Sequence, residues 1–322
     1  MIICKTPLRI SLVGGGTDID RYYRNGYGAV VSAAINKYIY VTVHKRFDSS
    51  LRVSYTKTEV VRHADELKHD IVRACLKMVG IDSGIEITTI GEVPAGTGMG
   101  SSSTLTVGLL NALYAYRGIS LSSYELMEKA CQIEIDKLHE PIGKQDQAAA
   151  AFGGLNYFKF CGDGQVERDR IQLSVADFFK FETNLMLFYT GLTHSAGTIL
   201  SEQRENIKNR MEILNGMREQ ADWLRIQLRE TGVGPYLGEL LRNGWEKKKL
   251  LSGGITNPEI DALYYRGLEA GALGGKLLGA GGGGFLLFYC DRDKQNQLQE
   301  ALGLPQLTFR VARYGSRVVY FE

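Results

Sequence analysis

Chemistry is most concentrated in one stretch, Pro94-Ala95-Gly96-Thr97-Gly98-Met99-Gly100-Ser101-Ser102-Ser103. Glycines alternate at 96, 98 and 100, and three serines follow. Gly84 to Ile90 before it reads as a strand, and Leu105 to Tyr116 after it reads as a helix closed by Gly118. A glycine-rich loop that opens a helix binds anions. Its backbone approaches closely, its amide N–H groups point outward, and the helix dipole adds positive charge. The serines are expected to cap the helix and to leave one hydroxyl for Mg²⁺. A plain glycine turn capped by Ser101 is the competing reading, and three alternating glycines with a serine run at a strand-to-helix junction make it the weaker one.

Two familiar nucleotide motifs are excluded. A Walker A loop needs Lys after its last Gly, where this chain has Ser101. Gly279-Ala280-Gly281-Gly282-Gly283-Gly284 contains the dinucleotide spacing G-x-G-x-x-G, but it leads into the apolar strand Phe285 to Cys290, not into a helix.

The elements that must position these loops follow from periodicity. After Pro7, Leu8, Ile10 and Leu12 alternate with Arg9 and Ser11, so a first strand projects Arg9 from the face opposite its apolar one. Gly14-Gly15-Gly16-Thr17-Asp18 ends it. Gly28 to Ile35 and Tyr38 to Lys45 read as strands joined by a turn at Asn36-Lys37. Asp65 to Val79 reads as a helix, with His63 and His69 on the surface at its start. A capping box at Ser122-Ser123-Tyr124-Glu125 launches a helix to about Leu138, with Glu134 on the flank of its buried stripe. Gly143 to Gly154, which holds Lys144 and Asp146, reads as a short, tightly packed helix. A charged, turn-rich segment from Gly162 to Lys180 suggests a boundary, giving domains 1–178 and 179–322. Beyond it, Ala196 to Thr231 reads as one long helix, followed by helices over Pro235 to Leu251 and Asn257 to Ala272. Segments Thr308 to Ala312 and Arg317 to Phe321 close the chain as β structure. The pattern predicts two α+β domains with a cleft between them, on which the three glycine clusters converge.

Bulk properties narrow the function classes. A net charge of +2 over 322 residues gives no electrostatic case for nucleic acid or a membrane surface. Five scattered cysteines without CxxC spacing indicate neither a zinc site nor a disulfide framework, and a reduced, cytoplasmic setting is expected. No apolar run is long enough to span a bilayer, and no secretory leader is expected.

Three stretches in order resemble the signatures of the GHMP small-molecule kinases, the family of galactokinase, homoserine kinase, mevalonate kinase and phosphomevalonate kinase. They are Lys5-x-Pro7-x-Arg9-x-Ser11 with Gly14 to Asp18, then Pro94 to Ser103, then Lys276 to Phe285. The resemblance covers the whole chain. It implies a two-domain GHMP kinase fold, α+β, with a ribosomal-S5-like N-terminal domain and a ferredoxin-like C-terminal domain. Within the superfamily the chain is most similar to the D-glycero-D-manno-heptose 7-phosphate kinases. Pro141 to Gln147, Phe152 to Asn156, Phe188 to Thr193 and Ile199 to Gln203 carry that likeness. That family phosphorylates an anomeric C1 hydroxyl and feeds nucleotide-activated heptose synthesis.

The resemblance implies ATP and Mg²⁺ as cofactors and assigns roles. Pro94, Gly96, Thr97, Gly98, Met99, Gly100, Ser101, Ser102 and Ser103 are expected to bind ATP, with Ser102 and Glu134 on Mg²⁺. Asp146 is expected to be the catalytic base, supported by Arg9 and Lys144. Gly15, Gly16, Thr17, Asp18, Gly281 and Gly282 are expected at the sugar. Asp18 would grip hydroxyls, and Gly14 to Gly16 replace galactokinase's Gly-Glu-His, which disfavours galactose. Thr193, His194 and Arg204 are expected at a substrate phosphate. The partners are then a phosphorylated sugar and ATP, with a homodimer as one assembly. Alternatives at this point are a fucokinase-, galactokinase- or N-acetylhexosamine-kinase-like enzyme, a decarboxylase of the same fold, or a catalytically silent regulator.

Overall fold

The computed structural model describes residues 1–192 and 196–322. In chain order its strands and helices are β1 (Ile2–Val13), α1 (Asp20–Tyr23), β2 (Tyr27–Lys45), β3 (Leu51–Ser54), β4 (Thr58–Val61), α2 (Asp70–Val79), β5 (Ile85–Gly91), α3 (Ser101–Tyr116), α4 (Ser123–Cys131), α5 (Gln145–Phe152), β6 (Leu155–Cys161) and β7 (Val166–Arg170). There follow α6 (Val175–Asn184), β8 (Leu185–Tyr189), α7 (Ala196–Glu205), α8 (Met211–Glu230), α9 (Tyr236–Lys249), α10 (Pro258–Glu269), β9 (Gly274–Leu277), β10 (Phe285–Tyr289), α11 (Gln295–Leu302), β11 (Gln306–Leu307) and β12 (Arg317–Phe321).

The strands form two sheets. The first has the order β12-β1-β2-β5-β3-β4, with β6 on the N-terminal half of β2 and β7 beyond it. The second is antiparallel, β11-β8-β10-β9. The chain passes between them through α6, which spans residues 178 and 179, and its last strand returns to pair with β1. The two sheets, each with its own helices, give the two mixed α and β units expected from the sequence.

The turn expected at Asn36-Lys37 is instead a bulge in one continuous 19-residue strand. Pairing with β1 steps from Pro7↔Tyr38 to Leu8↔Ile35. The extra residues lie beside a proline that has no N–H to donate, and backbone and side chain of Asn36 bind Arg310 at 2.8 and 2.7 Å. The chain therefore bends there without reversing. The long helix expected over 196–231 breaks into α7, a 3₁₀ turn over Asn206–Arg210, and α8. The segment 162–180, expected to be irregular, carries β7 and the start of α6.

Burial explains why β1 is so apolar. It is covered on both faces, and even Arg9 is only 4% exposed. Polar side chains on this strand therefore point into the protein interior, where they need partners.

Candidate active site

The glycine loop is shaped by its own backbone and by the loop it meets. Thr97 Oγ1 donates to the Pro94 carbonyl at 2.9 Å and closes the turn. Met99 is fully buried, and its carbonyl accepts from the Arg9 amide at 3.2 Å. Gly98 has φ of 79°, and a Cβ there would lie 2.4 Å from the Leu278 carbonyl oxygen. A Cβ on Gly279 would lie 2.3 Å from Gly98 Cα. The second and third glycine clusters thus touch backbone to backbone, which only glycine permits.

No side chain caps α3, whose N-cap is Gly100 in the left-handed region. The expected serine cap is absent because Gly100, which has no side chain, holds the N-cap position; Ser102 Oγ donates to Glu134 Oε1 at 2.8 Å, and among the described residues the buried Ser101 Oγ has no hydrogen-bond partner. The helix N-terminus opens on a cleft of about 990 Å³ lined by Pro94, Gly96, Gly98, Gly100 and Ser101 to Ser103. Thr97 and Met99 do not line it. Their side chains hold the loop in place.

Arg9 and Asp146 form a two-pronged ion pair. Nε donates to Oδ1 at 2.7 Å and Nη2 to Oδ2 at 2.8 Å, while Nη1 donates to the Gly98 carbonyl at 2.6 Å. Asp146 sits in the first turn of α5, so the helix dipole also favours its charge. The neighbouring Gln145 holds Asp18: its amide donates to Oδ2 at 3.2 Å and its side chain to Oδ1 at 3.1 Å, with the Gly16 amide on Oδ1 at 2.9 Å. Burial first, and the Asp146 charge second, raise the Asp18 carboxyl above its usual range. Gly143 is needed for this approach, since a Cβ there would lie 2.0 Å from Asp18 Oδ2.

Glu134 belongs to a π-helical turn, Gln132–Lys137, that continues α4. The widened turn places it wholly inside the protein, where Ser102 and the Gln147 amide (2.8 Å) both donate to it. Burial pushes its carboxyl up to about 7, against those hydrogen bonds. Its hydrogen-bond partners are neutral, so a cation beside Ser102 Oγ and Glu134 would complete the charge balance. Two hard oxygens suit Mg²⁺, which binds few protein ligands and keeps water and phosphate oxygens for the rest. Among the described residues no three His, Cys, Asp or Glu side chains gather as an all-protein metal cage.

A second, smaller pocket of about 80 Å³ opens beside the cleft. Gly15, Gly16 and Asp18 line it, as the sequence leads one to expect, together with Ser11, Gln145 and Gln203. Arg9 and Asp146 line both cavities, as do Gly279 and Ala280. The carboxylate therefore stands on the wall the two share.

Several expected residues lie elsewhere. Lys144 donates its ammonium to the Gly164 carbonyl at 2.6 Å and rests over the Tyr23 ring, away from Asp146. The Thr17 hydroxyl is consumed by the Gly14 and Ala29 carbonyls at 2.8 and 2.9 Å, so it braces the turn and lines neither cavity. Gly281 lines the large cleft, and Gly282 binds the Ile255 carbonyl at 3.0 Å. Gly279 and Ala280 take their place at the small pocket. Arg204 pairs with Asp20 at 3.3 Å and lines neither cavity. Thr193 and His194 lie outside the described residues.

Other residues enter to which the sequence assigns no role at the site. Lys248 and Lys276 are buried and line the small pocket. His69, expected at the surface, is half-buried and lines the cleft edge-on to Tyr55, at 4.8 Å between ring centroids. Lys276 opens the third glycine motif, a place that alone marked it out. Lys248 sits in a run of three lysines that reads as a solvated face.

Comparison with known proteins gives a consistent picture. The family model for the GHMP kinases N-terminal domain matches residues 60–154, and that for the GHMP kinases C-terminal region matches residues 227–304. A D-glycero-alpha-D-manno-heptose 7-phosphate kinase of Campylobacter jejuni is 31% identical over 316 residues, covering 94% of this chain and 93% of that one. A mevalonate kinase of Methanothermobacter thermautotrophicus is 29% identical over 265 residues, covering 81% and 82%. The crystal structure of a D-glycero-D-manno-heptose 1-phosphate kinase from Bacteroides thetaiotaomicron superposes with a TM-score of 0.84 over the full length of both chains. At 24% identity it speaks for the fold.

Proposed function

The chain belongs to the GHMP kinase family, and within it we propose that this ATP-dependent sugar kinase phosphorylates the anomeric C1 hydroxyl of D-glycero-D-manno-heptose 7-phosphate, giving the 1,7-bisphosphate. One observation carries the reading: Asp146 and Arg9 stand on the wall shared by an anion-binding cleft and a small polar pocket. The full-length likeness to a heptose 7-phosphate kinase supports the choice of sugar.

The division of labour follows from the cavities. The amides of Gly96 to Ser103 and the α3 N-terminus hold the ATP phosphates. Tyr55, His69 and Ile71 line the same cleft and offer the flat, apolar surface a purine needs. Ser102 and Glu134 hold Mg²⁺. When bound, that ion neutralises phosphate charge and fixes the phosphates in place. Asp18, Gln145 and the backbone of Gly15 and Gly16 orient the sugar hydroxyls.

Asp146 accepts the proton of the C1 hydroxyl as its oxygen bonds the γ-phosphorus and the bond to the bridging β–γ oxygen breaks, releasing ADP. An anomeric hydroxyl is more acidic than an ordinary alcohol, so a carboxylate is a sufficient base. Arg9 holds both carboxylate oxygens, which fixes the base in line, and it adds positive charge where the phosphoryl group passes.

Phosphorus NMR of the product made from ATP and heptose 7-phosphate tests the assignment. We expect a new phosphorus resonance coupled to the anomeric proton. Coupling to another ring proton, or no new resonance, would contradict it.

A further inference from the structure

We propose that Lys248 and Lys276 form an anion site in the acceptor pocket, and that it takes a phosphate monoester carried by the acceptor itself. The inference rests on the sugar-phosphate reading above and relocates the substrate phosphate away from Arg204, whose guanidinium is already occupied by Asp20.

Charge balance is the first ground. The small pocket is lined by three cations, Arg9, Lys248 and Lys276, and by two carboxylates, Asp18 and Asp146. Arg9 is spent on Asp146 with both of its carboxylate-facing nitrogens. The two lysines are buried and, among the described residues, form no ion pair with a carboxylate, although the Asp18 and Asp146 charges act on Lys248 from farther off. Lys248 Nζ donates to the Gly279 carbonyl and Lys276 Nζ to the Leu12 carbonyl at 3.1 Å, so each ammonium keeps further N–H groups. Two buried ammonium groups whose partners among the described residues are backbone carbonyls are costly unless an anion joins them. Burial lowers both lysines' proton affinity first; the Arg9 charge adds to this at Lys248, and the Lys248 and Arg9 charges add to it at Lys276, so an anion beside them would reverse the shift.

Unpartnered polar atoms are the second ground. Ser11 Oγ, Gln145 Oε1 and Gln203 Nε2 are buried, have no hydrogen-bond partner among the described residues, and belong to side chains that line this same pocket. Their combination of donors and acceptors suits a hydroxylated ligand, with the lysines receiving its charged end.

Position separates the acceptor's phosphate from the one being transferred. Both lysines line only the small pocket, whereas Arg9 and Asp146 line both cavities. The group in transit therefore meets Arg9, and the lysines face the acceptor.

The test uses Lys248→Met and Lys276→Met, with Lys248→Gln and Lys276→Gln as second variants should either fold poorly. Steady-state kinetics would compare one sugar with and without its terminal phosphate, and calorimetry without ATP would titrate inorganic phosphate. We expect KM for the phosphorylated acceptor to rise at least about tenfold more than KM for the unphosphorylated one, as loss of a charge-assisted contact implies. Binding of inorganic phosphate should weaken in parallel, with any binding at the glycine loop left in place. Equal effects on the two acceptors, a fall in kcat with KM unchanged, or undiminished phosphate binding would each overturn the proposal. Should wild type transfer phosphate to neither sugar, the kinase assignment fails, and the phosphate titration still decides the lysine site.

Discussion

Arg9 and Asp146 are 137 positions apart in the chain, yet their side chains meet through two parallel hydrogen bonds of 2.7 and 2.8 Å. The pairing ties β1 to α5, and Arg9 also binds the carbonyl of Gly98 in the phosphate loop. One guanidinium thus sets the base and the loop in a fixed relation. Asp146→Asn is expected to cut turnover by about a hundredfold or more while ATP binding survives. Arg9→Met should lower kcat and also loosen ATP. Turnover within twofold of wild type in Asp146→Asn would remove the base assignment.

Metal dependence should track Ser102 and Glu134. Glu134→Gln keeps the shape of the side chain and its hydrogen-bonding reach but removes the charge. It is expected to raise the Mg²⁺ concentration for half-maximal rate by about tenfold or more, and Ser102→Ala by less. A Mg²⁺ titration of the rate at saturating sugar checks this. An unchanged midpoint in Glu134→Gln would place the ion elsewhere.

The contact between glycine clusters predicts a steric effect. Gly98→Ala puts a methyl 2.4 Å from the Leu278 oxygen at a positive φ, so loop and partner must both shift. We expect weaker ATP binding and a stability loss of about 1–3 kcal/mol. Gly143→Ala acts on the other cavity. Its methyl displaces the Asp18 carboxylate and should raise KM for the sugar with ATP affinity little changed. Nucleotide titration and denaturant melts of the two variants separate the effects.

Stability should depend on pH through Lys248. Burial, and after it the Arg9 charge, bring this ammonium down to about 8 from 10.5. Between those values the unfolded chain binds more protons than the folded one, so stability rises with pH across that window. Below pH 8 the whole cost is present, on the order of 3 kcal/mol. Lys248→Met should therefore be more stable than wild type below pH 8, with the gap narrowing toward pH 10. Ligand-free urea melts at several pH values check it, and parallel curves would contradict it.

Much of this site is legible in the sequence because its parts are local. Alternating glycines at a strand–helix junction, an arginine on the polar side of β1 and a carboxylate in the first turn of a short helix each have a short-range signature. What stays hidden is contributed by partners distant in sequence. Lys248 lies in a lysine run on an amphipathic helix, and burial appears only when α9 docks beside the first and third glycine loops. Gln203 lies in the Ile199–Gln203 stretch that carries the family likeness, but nothing local shows that its side chain reaches the small pocket. His69 looks like a surface residue until Tyr55 covers it. Lys144 shows the converse: two positions from Asp146 on the chain, its long side chain reaches the Gly164 carbonyl instead. The π turn that buries Glu134 has no composition signal either, since it differs from an α-helix by one residue in its hydrogen-bond spacing.

A crystal structure with a non-hydrolysable ATP analogue and the acceptor sugar tests the central claim most directly. The account predicts the γ-phosphate at the α3 N-terminus, with the acceptor hydroxyl between it and Asp146, within hydrogen-bond distance of that carboxylate. A nucleotide lying away from Ser101 to Ser103, or a sugar whose nearest hydroxyl is out of reach of Asp146, would contradict it.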